Sequence, residues 1–231
     1  MEFSGLQKLA MVDYPGKLAA TVFTGGCNLR CPFCHNAVLV LHPDQAEHWS
    51  ERDVLDFLSR RRGLLDGVVL SGGEPLLRDG AGDFLRRVRE MGFAVKLDTN
   101  GCFPHRLEAL LRDGLLDYVA MDIKNSPEKY PQTVGVPDFD LGPVRESIAL
   151  LRTAGVDYEF RTTVVRELHT ADDILAIGRW LEGAPRYFLQ NFVDSGGLIS
   201  QGFSGFTAEE LRGFLALAQP FFGAVALRGV E

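Results

Sequence analysis

Three cysteines within eight residues, Cys27, Cys31 and Cys34, are the groups in this 231-residue chain best suited to chemistry. Their spacing, C-x3-C-x2-C, allows a wrapping loop to bring three thiolates to one centre. Two kinds of centre fit. A structural zinc site takes four protein ligands, so zinc would need His35 or Cys102 as the fourth, and His35 follows Cys34 too directly to turn easily toward the same ion. A [4Fe–4S] cluster held by three cysteines leaves one iron open to a substrate, an arrangement suited to reaction rather than scaffolding. Four cysteines in all are too few for a disulfide-dense secreted scaffold, and in a reducing compartment such a cluster reads as a metal site.

The elements that must position these thiolates follow from hydrophobic period. Six short apolar runs read as strands: Ala19 to Thr24, Gly67 to Leu70, Phe93 to Asp98, Leu116 to Lys124, Asp157 to Val165 and Tyr187 to Phe192. Between them, apolar residues at helical spacing (Val54, Phe57 and Leu58; Phe84, Val88 and Met91; Leu107, Leu110 and Leu111; Val144, Ile148 and Leu151; Ile174, Ile177 and Leu181) each form a stripe. Ser50 with Asp53, Thr170 with Asp173 and Thr207 with Glu210 mark helix starts. Alternating strand and helix predicts an α/β fold of parallel strands with outer helices, either an open doubly wound sheet or a full or partial (β/α) barrel. Both architectures put functional groups at the C-terminal strand ends. The strands run in turn into Gly25-Gly26-Cys27, Ser71-Gly72-Gly73-Glu74, Asp98-Thr99-Asn100-Gly101 and Asp122-Ile123-Lys124; the fifth carries Arg161-Thr162-Thr163 and the sixth ends in Gln190-Asn191-Phe192.

One domain over residues 1–231 is expected, with a core at about 19–192 and a helical and strand extension at 207–231. The connections at 125–142 and 193–206 read as surface loops or covers over the strand ends. With 46% hydrophobic residues the chain can bury a substantial core. Lys and Arg number 24 against 31 Asp and Glu, and the net charge of −7 argues against nucleic acid or anionic lipid as partners. No apolar run approaches the ~20 residues of a membrane helix, and no secretory signal opens the chain, so a cytoplasmic location is expected.

The cysteine motif with Phe33 before its last member, following the first strand, resembles the radical S-adenosylmethionine (SAM) superfamily, and Gly72-Gly73-Glu74-Pro75 resembles that family's GGE motif. Leu97 to Gly101, Met121 to Lys124, Phe160 to Val165 and Cys34-His35-Asn36 are similar to segments of glycyl-radical-enzyme activases. Over about residues 5–192 the pattern sits nearest the subgroup named for activating anaerobic ribonucleoside-triphosphate reductase. The resemblance implies a partial (β/α)6 barrel and a [4Fe–4S] cluster on Cys27, Cys31 and Cys34. It also implies S-adenosyl-L-methionine as the second cofactor, cleaved reductively to a 5′-deoxyadenosyl radical that abstracts hydrogen from a glycine of a partner enzyme. By the same resemblance Gly72, Gly73 and Glu74 hold the methionine amino group, and Phe33 and His35 turn their backbone toward the adenine. From their places at strand ends, Asp98 and Lys124 offer one carboxylate and one ammonium to the zwitterionic methionine end and the sulfonium charge, Arg161 is a further cofactor-binding candidate, and Asn100 and Asp122 shape the same pocket with hydrogen bonds. Asp98 and Lys124 could instead pair with each other or with Arg161. Where pyruvate formate-lyase activases carry a histidine near the sixth strand, this chain has Gln190-Asn191-Phe192, which shifts the nucleoside contact to Asn191 or to stacking by Phe192.

Cys102 reads as a bystander thiol, and His42, His48, His105 and His169 as surface or capping residues. No second run of paired cysteines follows, so a separate flavodoxin or ferredoxin must deliver the electron. Lys8, Lys17, Arg60, Arg61 and Arg62 are candidates to receive such an acidic donor, the plainer reading being a solvated helix face. The competing functions are a radical SAM enzyme acting on a small molecule or another peptide, and a zinc-binding scaffold.

Overall fold

The computed structural model describes residues 1–194 and 196–229, so the last two residues of the expected 207–231 extension lie outside the described residues. In chain order the elements are β1 (Glu2–Phe3), β2 (Gly5–Ala10), β3 (Ala19–Thr24), α1 (Ala37–Leu41), β4 (Trp49–Ser50), α2 (Glu51–Ser59), β5 (Gly67–Gly72), α3 (Ala81–Glu90), β6 (Ala94–Thr99), α4 (Pro104–Arg112) and β7 (Tyr118–Asp122). Then come α5 (Tyr130–Val134), α6 (Gly142–Thr153), β8 (Asp157–Val164), α7 (Ala171–Leu181), β9 (Arg186–Asn191), α8 (Ala208–Ala218) and β10 (Ala224–Arg228). The six expected strands are β3, β5, β6, β7, β8 and β9. The helix starts at Ser50, Thr170 and Thr207 are capping boxes, each side-chain oxygen accepting the N–H three residues on.

The chain forms two compact units. The first comprises Met1–Asn28, Val38–Ala120 and Pro143–Asp157. In it β3, β5 and β6 are parallel neighbours, in register Ala19↔Gly67 and Gly67↔Ala94, and β2 pairs antiparallel with β3. Val22, Val68, Val69, Leu70, Val95 and Leu97 are fully buried, as strands covered on both faces require. Each such side chain contributes roughly 1.5–3 kcal/mol by burial.

The second unit comprises Leu29–Ala37, Met121–Gly142 and Tyr158–Glu231. Here β8, β9 and β10 are parallel neighbours, and the segment after β7 bonds to β8 through Ile123 N–H to Arg161 O (2.8 Å). Strands β1, β2 and β4 carry no strand signal in the sequence, and β10 was expected only as part of an extension. Strand β2 is mostly exposed and β10 half exposed, so neither shows the unbroken apolar run of a central strand. The buried Glu159 carboxylate anchors β10 by a two-pronged pair with Arg228 (2.6 and 3.0 Å), whose guanidinium lies 3.6 Å from the Phe188 ring centroid.

Two local expectations are corrected. The 125–142 connection is no plain surface loop: Asn125, Ser126, Tyr130, Thr133 and Val134 are buried. Asn125 donates to Thr133 Oγ1 (2.9 Å) and Leu168 O (3.0 Å), which satisfies the backbone and side chains that would otherwise keep this segment in water. In addition, Arg60, Arg61 and Arg62 lie in the turn beyond α2 rather than on a helix face. That turn feeds the start of β5, where Asp66 N–H bonds to Leu18 O (2.8 Å) at the start of β3. Cys27 follows the opposite end of β3, a strand of six residues that at about 3.3 Å each is about 20 Å long, so turn and cysteine lie toward opposite ends of it. Among the described residues no helix is long and apolar enough to cross a membrane.

Candidate active site

The expected site residues fall into two groups, one in each unit. In the first, the ends of β3, β5 and β6 meet through Glu74. Its buried carboxylate accepts from Leu76 N–H (3.0 Å) and Thr99 Oγ1–H (2.8 Å) on one oxygen and from Asn100 N–H (2.7 Å) on the other. Its own N–H donates to Gly26 O (2.8 Å), which fixes the backbone next to Cys27. Glu74 thus ties three strand ends together, a part the GGE resemblance did not assign to it. Asn100 completes the link: its side-chain amide donates to Asn28 Oδ1 (2.9 Å) and to Cys27 Sγ (3.8 Å), while its Oδ1 accepts from Cys102 N–H (2.9 Å).

Gly73 explains why this turn needs glycine. A Cβ there would stand 2.0 Å from Gly26 O and 2.6 Å from Gly26 C, both backbone atoms. We therefore expect Gly73→Ala to push the Gly26–Cys27 backbone aside, costing about 1–3 kcal/mol of stability. Iron content per chain after anaerobic reconstitution should fall several-fold relative to wild type.

The Asp98 carboxylate bonds to Lys96 Nζ and accepts from Ser71 Oγ–H (3.2 Å). Lys96 is 1% exposed and was missed in the sequence, although a lysine two positions before Asp98 inside an apolar strand lies on the same face and is a usable signal.

In the second unit, Asp122 sits between two cations: Lys124 Nζ at 2.8 Å and Arg161 Nε. Burial opposes every charge in this group, but the attraction outweighs it. Arg161 first, then Lys124, hold the Asp122 carboxyl well below the usual carboxylate range. Asp122, then the Cys31 sulfur, push the Lys124 ammonium up. The three side chains together carry one net positive charge, and Cys31 is within electrostatic reach of Lys124. His169 fixes the backbone under Lys124. Of the two readings, surface or capping, the surface one is corrected: His169 is buried, and its ring caps backbone groups, Nε2 pairing with Lys124 O (2.9 Å) while Val165 N–H donates to Nδ1 (3.1 Å).

Burial lowers the His169 pKa from its ordinary 6.5, partly offset by those backbone bonds. The unfolded chain therefore takes up this proton first on acidification, so the contribution is present above pH 6.5 and is lost as pH falls below it. Unfolding midpoints of wild type and His169→Gln should diverge less at pH 5.5 than at pH 7.5.

The loop carrying Cys31 and Cys34 is braced within the same unit. Arg30 N–H bonds to Val134 O (2.8 Å), Cys34 N–H to Cys31 O (3.0 Å) and Ser200 N–H to Pro32 O (2.8 Å). Phe33 is buried, edge-on to Phe192 and Phe203 at 6.4 Å each. His35 stacks on Phe192 at 5.0 Å and its Nε2 pairs with Val193 O at 2.6 Å. Stack and bond together fix the orientation of the ring through Nε2. Phe192 is 1% exposed and the Asn191 amide both donates to Phe206 O and accepts from its N–H, so both side chains expected to replace the activase histidine are engaged by the protein.

The donor set fits an iron–sulfur cluster. All three motif cysteines are free of disulfides, one lies by a cationic group and another has a side-chain N–H aimed at its sulfur.

Comparison with known proteins agrees with this chemistry. Residues 21–181 match the model of the Radical SAM superfamily. A Methanocaldococcus jannaschii protein provisionally named a glycyl-radical enzyme activating enzyme is 35% identical over 194 residues, 82% of this chain and 79% of its own. The pyruvate formate-lyase-activating enzyme of Listeria monocytogenes is 35% identical over 54% of each chain. Streptococcus suis SuiB, also solved bound to S-adenosylmethionine, shares the fold with TM-score 0.71 and 14% identity over 90% of this chain. This chain spans about half of SuiB's length (48%). The expected α/β fold, parallel strands with outer helices in a partial barrel, is the one these structures share. The chain belongs to the radical SAM superfamily and its glycyl-radical-activase group, oxidoreductases that work with a [4Fe–4S] cluster and S-adenosyl-L-methionine.

Proposed function

We propose that this protein activates a glycyl radical enzyme, with anaerobic ribonucleoside-triphosphate reductase as the partner and a cytoplasmic flavodoxin or ferredoxin as electron source. The carrying observation is the 35% identity over 82% of the chain to a relative named for glycyl-radical activation. Cys27, Cys31 and Cys34 hold the cluster, with Lys124 the fourth residue directly engaged in the chemistry. When bound, the cluster supplies the electron that cleaves S-adenosylmethionine to methionine and a 5′-deoxyadenosyl radical.

The protein's own residues orient the substrate and keep water out. The Asp122, Lys124 and Arg161 group, with its net positive charge, draws in the methionine carboxylate; an ammonium has three N–H donors and Asp122 takes one. Asp98 and the Gly72-Gly73 backbone receive the methionine ammonium, while Glu74 and Asn100 hold the strand ends that form this part of the site. Phe33 and His35 build the apolar side that receives the adenine, with Asn191 fixing the loop behind it.

Because Arg60, Arg61 and Arg62 lie at the far end of β3 from Cys27, the electron donor is expected to dock elsewhere, nearer the cysteine loop. Anaerobic incubation with the reductase, S-adenosylmethionine and reduced flavodoxin tests the whole reading. It should give 5′-deoxyadenosine together with a glycyl-radical EPR doublet on the reductase. 5′-Deoxyadenosine without the doublet would replace this reading with a small-molecule or peptide substrate.

A further inference from the structure

We propose that Asn100 is a positioning residue that raises the reduction potential of the cluster through the N–H it aims at the Cys27 sulfur. The inference rests on the reading that Cys27 is a cluster ligand and assigns this side chain a task beyond shaping the cofactor pocket. The amide orientation is determined by its neighbours. Cys102 N–H donates to Oδ1 at 2.9 Å, so the oxygen faces Cys102 and the NH2 faces the other way. Of its two hydrogens, one goes to Asn28 Oδ1 at 2.9 Å and the other to Cys27 Sγ at 3.8 Å. A flipped amide would set its oxygen against a carbonyl oxygen and a sulfur, and its NH2 against an N–H.

The backbone beneath is held as firmly. Asn100 N–H bonds at 2.7 Å to the buried Glu74, which also receives Thr99 Oγ1–H and whose own N–H holds Gly26 O, one residue before Cys27. The donor and the sulfur are therefore fixed to the same carboxylate residue from both sides. A hydrogen bond to a ligating sulfur withdraws electron density and favours the more negative, reduced cluster. A group in this position makes the one-electron reduction easier without touching the substrate.

The test is a mediated redox titration of the reconstituted protein, read by EPR of the reduced cluster, with iron per chain as a check on occupancy. Asn100→Leu should disfavour reduction by roughly five- to tenfold, tenfold being about 59 mV for one electron. The near-isosteric Asn100→Asp retains the acceptor for Cys102 N–H, so it serves if the leucine variant does not fold, and it should shift the potential the same way. Asn28→Ala, which leaves the donor to the sulfur in place, should stay within about twofold of wild type, about 18 mV by the same conversion. Proton ENDOR of the reduced cluster should lose one exchangeable coupling in both Asn100 variants and keep it in Asn28→Ala. An unchanged potential in a fully loaded Asn100 variant, or an equal fall in Asn28→Ala, overturns the proposal while leaving the function intact. A wild-type chain that takes up no cluster overturns both.

Discussion

Anaerobically reconstituted Cys31→Ala is expected to be colourless near ~400 nm, where iron–sulfur proteins absorb, and to form no measurable 5′-deoxyadenosine from S-adenosylmethionine. Loss should be complete because a cluster needs every thiolate of a three-cysteine set, and Cys31 has no substitute close in sequence. Its sulfur also interacts electrostatically with Lys124, so the alanine variant removes that interaction together with the ligand. Cys102→Ala is the matched control. Alanine retains the backbone N–H that Cys102 gives to Asn100 Oδ1, so iron content and 5′-deoxyadenosine yield should stay near wild type. If Cys102→Ala lost its iron as Cys31→Ala does, the assignment of the three motif cysteines as the ligand set would fail.

Asp122→Asn should give the second largest effect. The side chains of Asp122, Lys124 and Arg161 are 27%, 21% and 19% exposed, so neutralising the carboxylate leaves two like charges facing each other with little water to screen them. Breaking a buried pair costs 3–5 kcal/mol, and the remaining access to water puts the expected loss at the lower end, about 3 kcal/mol. For a chain of this size that corresponds to a fall in Tm of about 6–12 °C. Affinity for S-adenosylmethionine should fall as well, because Lys124 and Arg161 lose the group that aims them.

The pH dependence has a definite sign. The Asp122 carboxyl is held well below its ordinary 3.8, so its contribution is present above that value and is lost as acid approaches the folded-state pKa. Lys124 is pushed above its ordinary 10.5, so its contribution is full below that value and is lost only in stronger alkali. Thermal melts of wild type should therefore show a flat contribution from this group between about pH 5 and 9. His169, with its lowered pKa, adds a slope of its own as pH falls below 6.5. A variant that melted like wild type at pH 7 would show that the ion group does not hold the end of β7.

Much of this was legible in the sequence. Six apolar runs separated by helical stripes were enough for the α/β class, since local period is a property of the chain itself, whereas the partial barrel and the cofactor pair came from the resemblance that C-x3-C-x2-C and Gly-Gly-Glu-Pro bear to the radical SAM superfamily. The helix starts at Ser50, Thr170 and Thr207 were equally readable, because a capping box is complete within four residues.

The division of labour among the polar side chains was decided by tertiary structure. Asp98 pairs with Lys96, Glu74 ties strand ends together, and the Lys124 backbone is held by a buried histidine 45 residues away. These partners are set by strand register: pairing Leu70 with Leu97 brings the end of β5 beside the end of β6, and only then can Ser71 reach Asp98 and Glu74 reach Thr99 and Asn100. Sequence spacing determined which residue types stand at the strand ends. Which of them meet a ligand and which meet one another depends on burial, because a charge removed from water must take the nearest partner that packing offers.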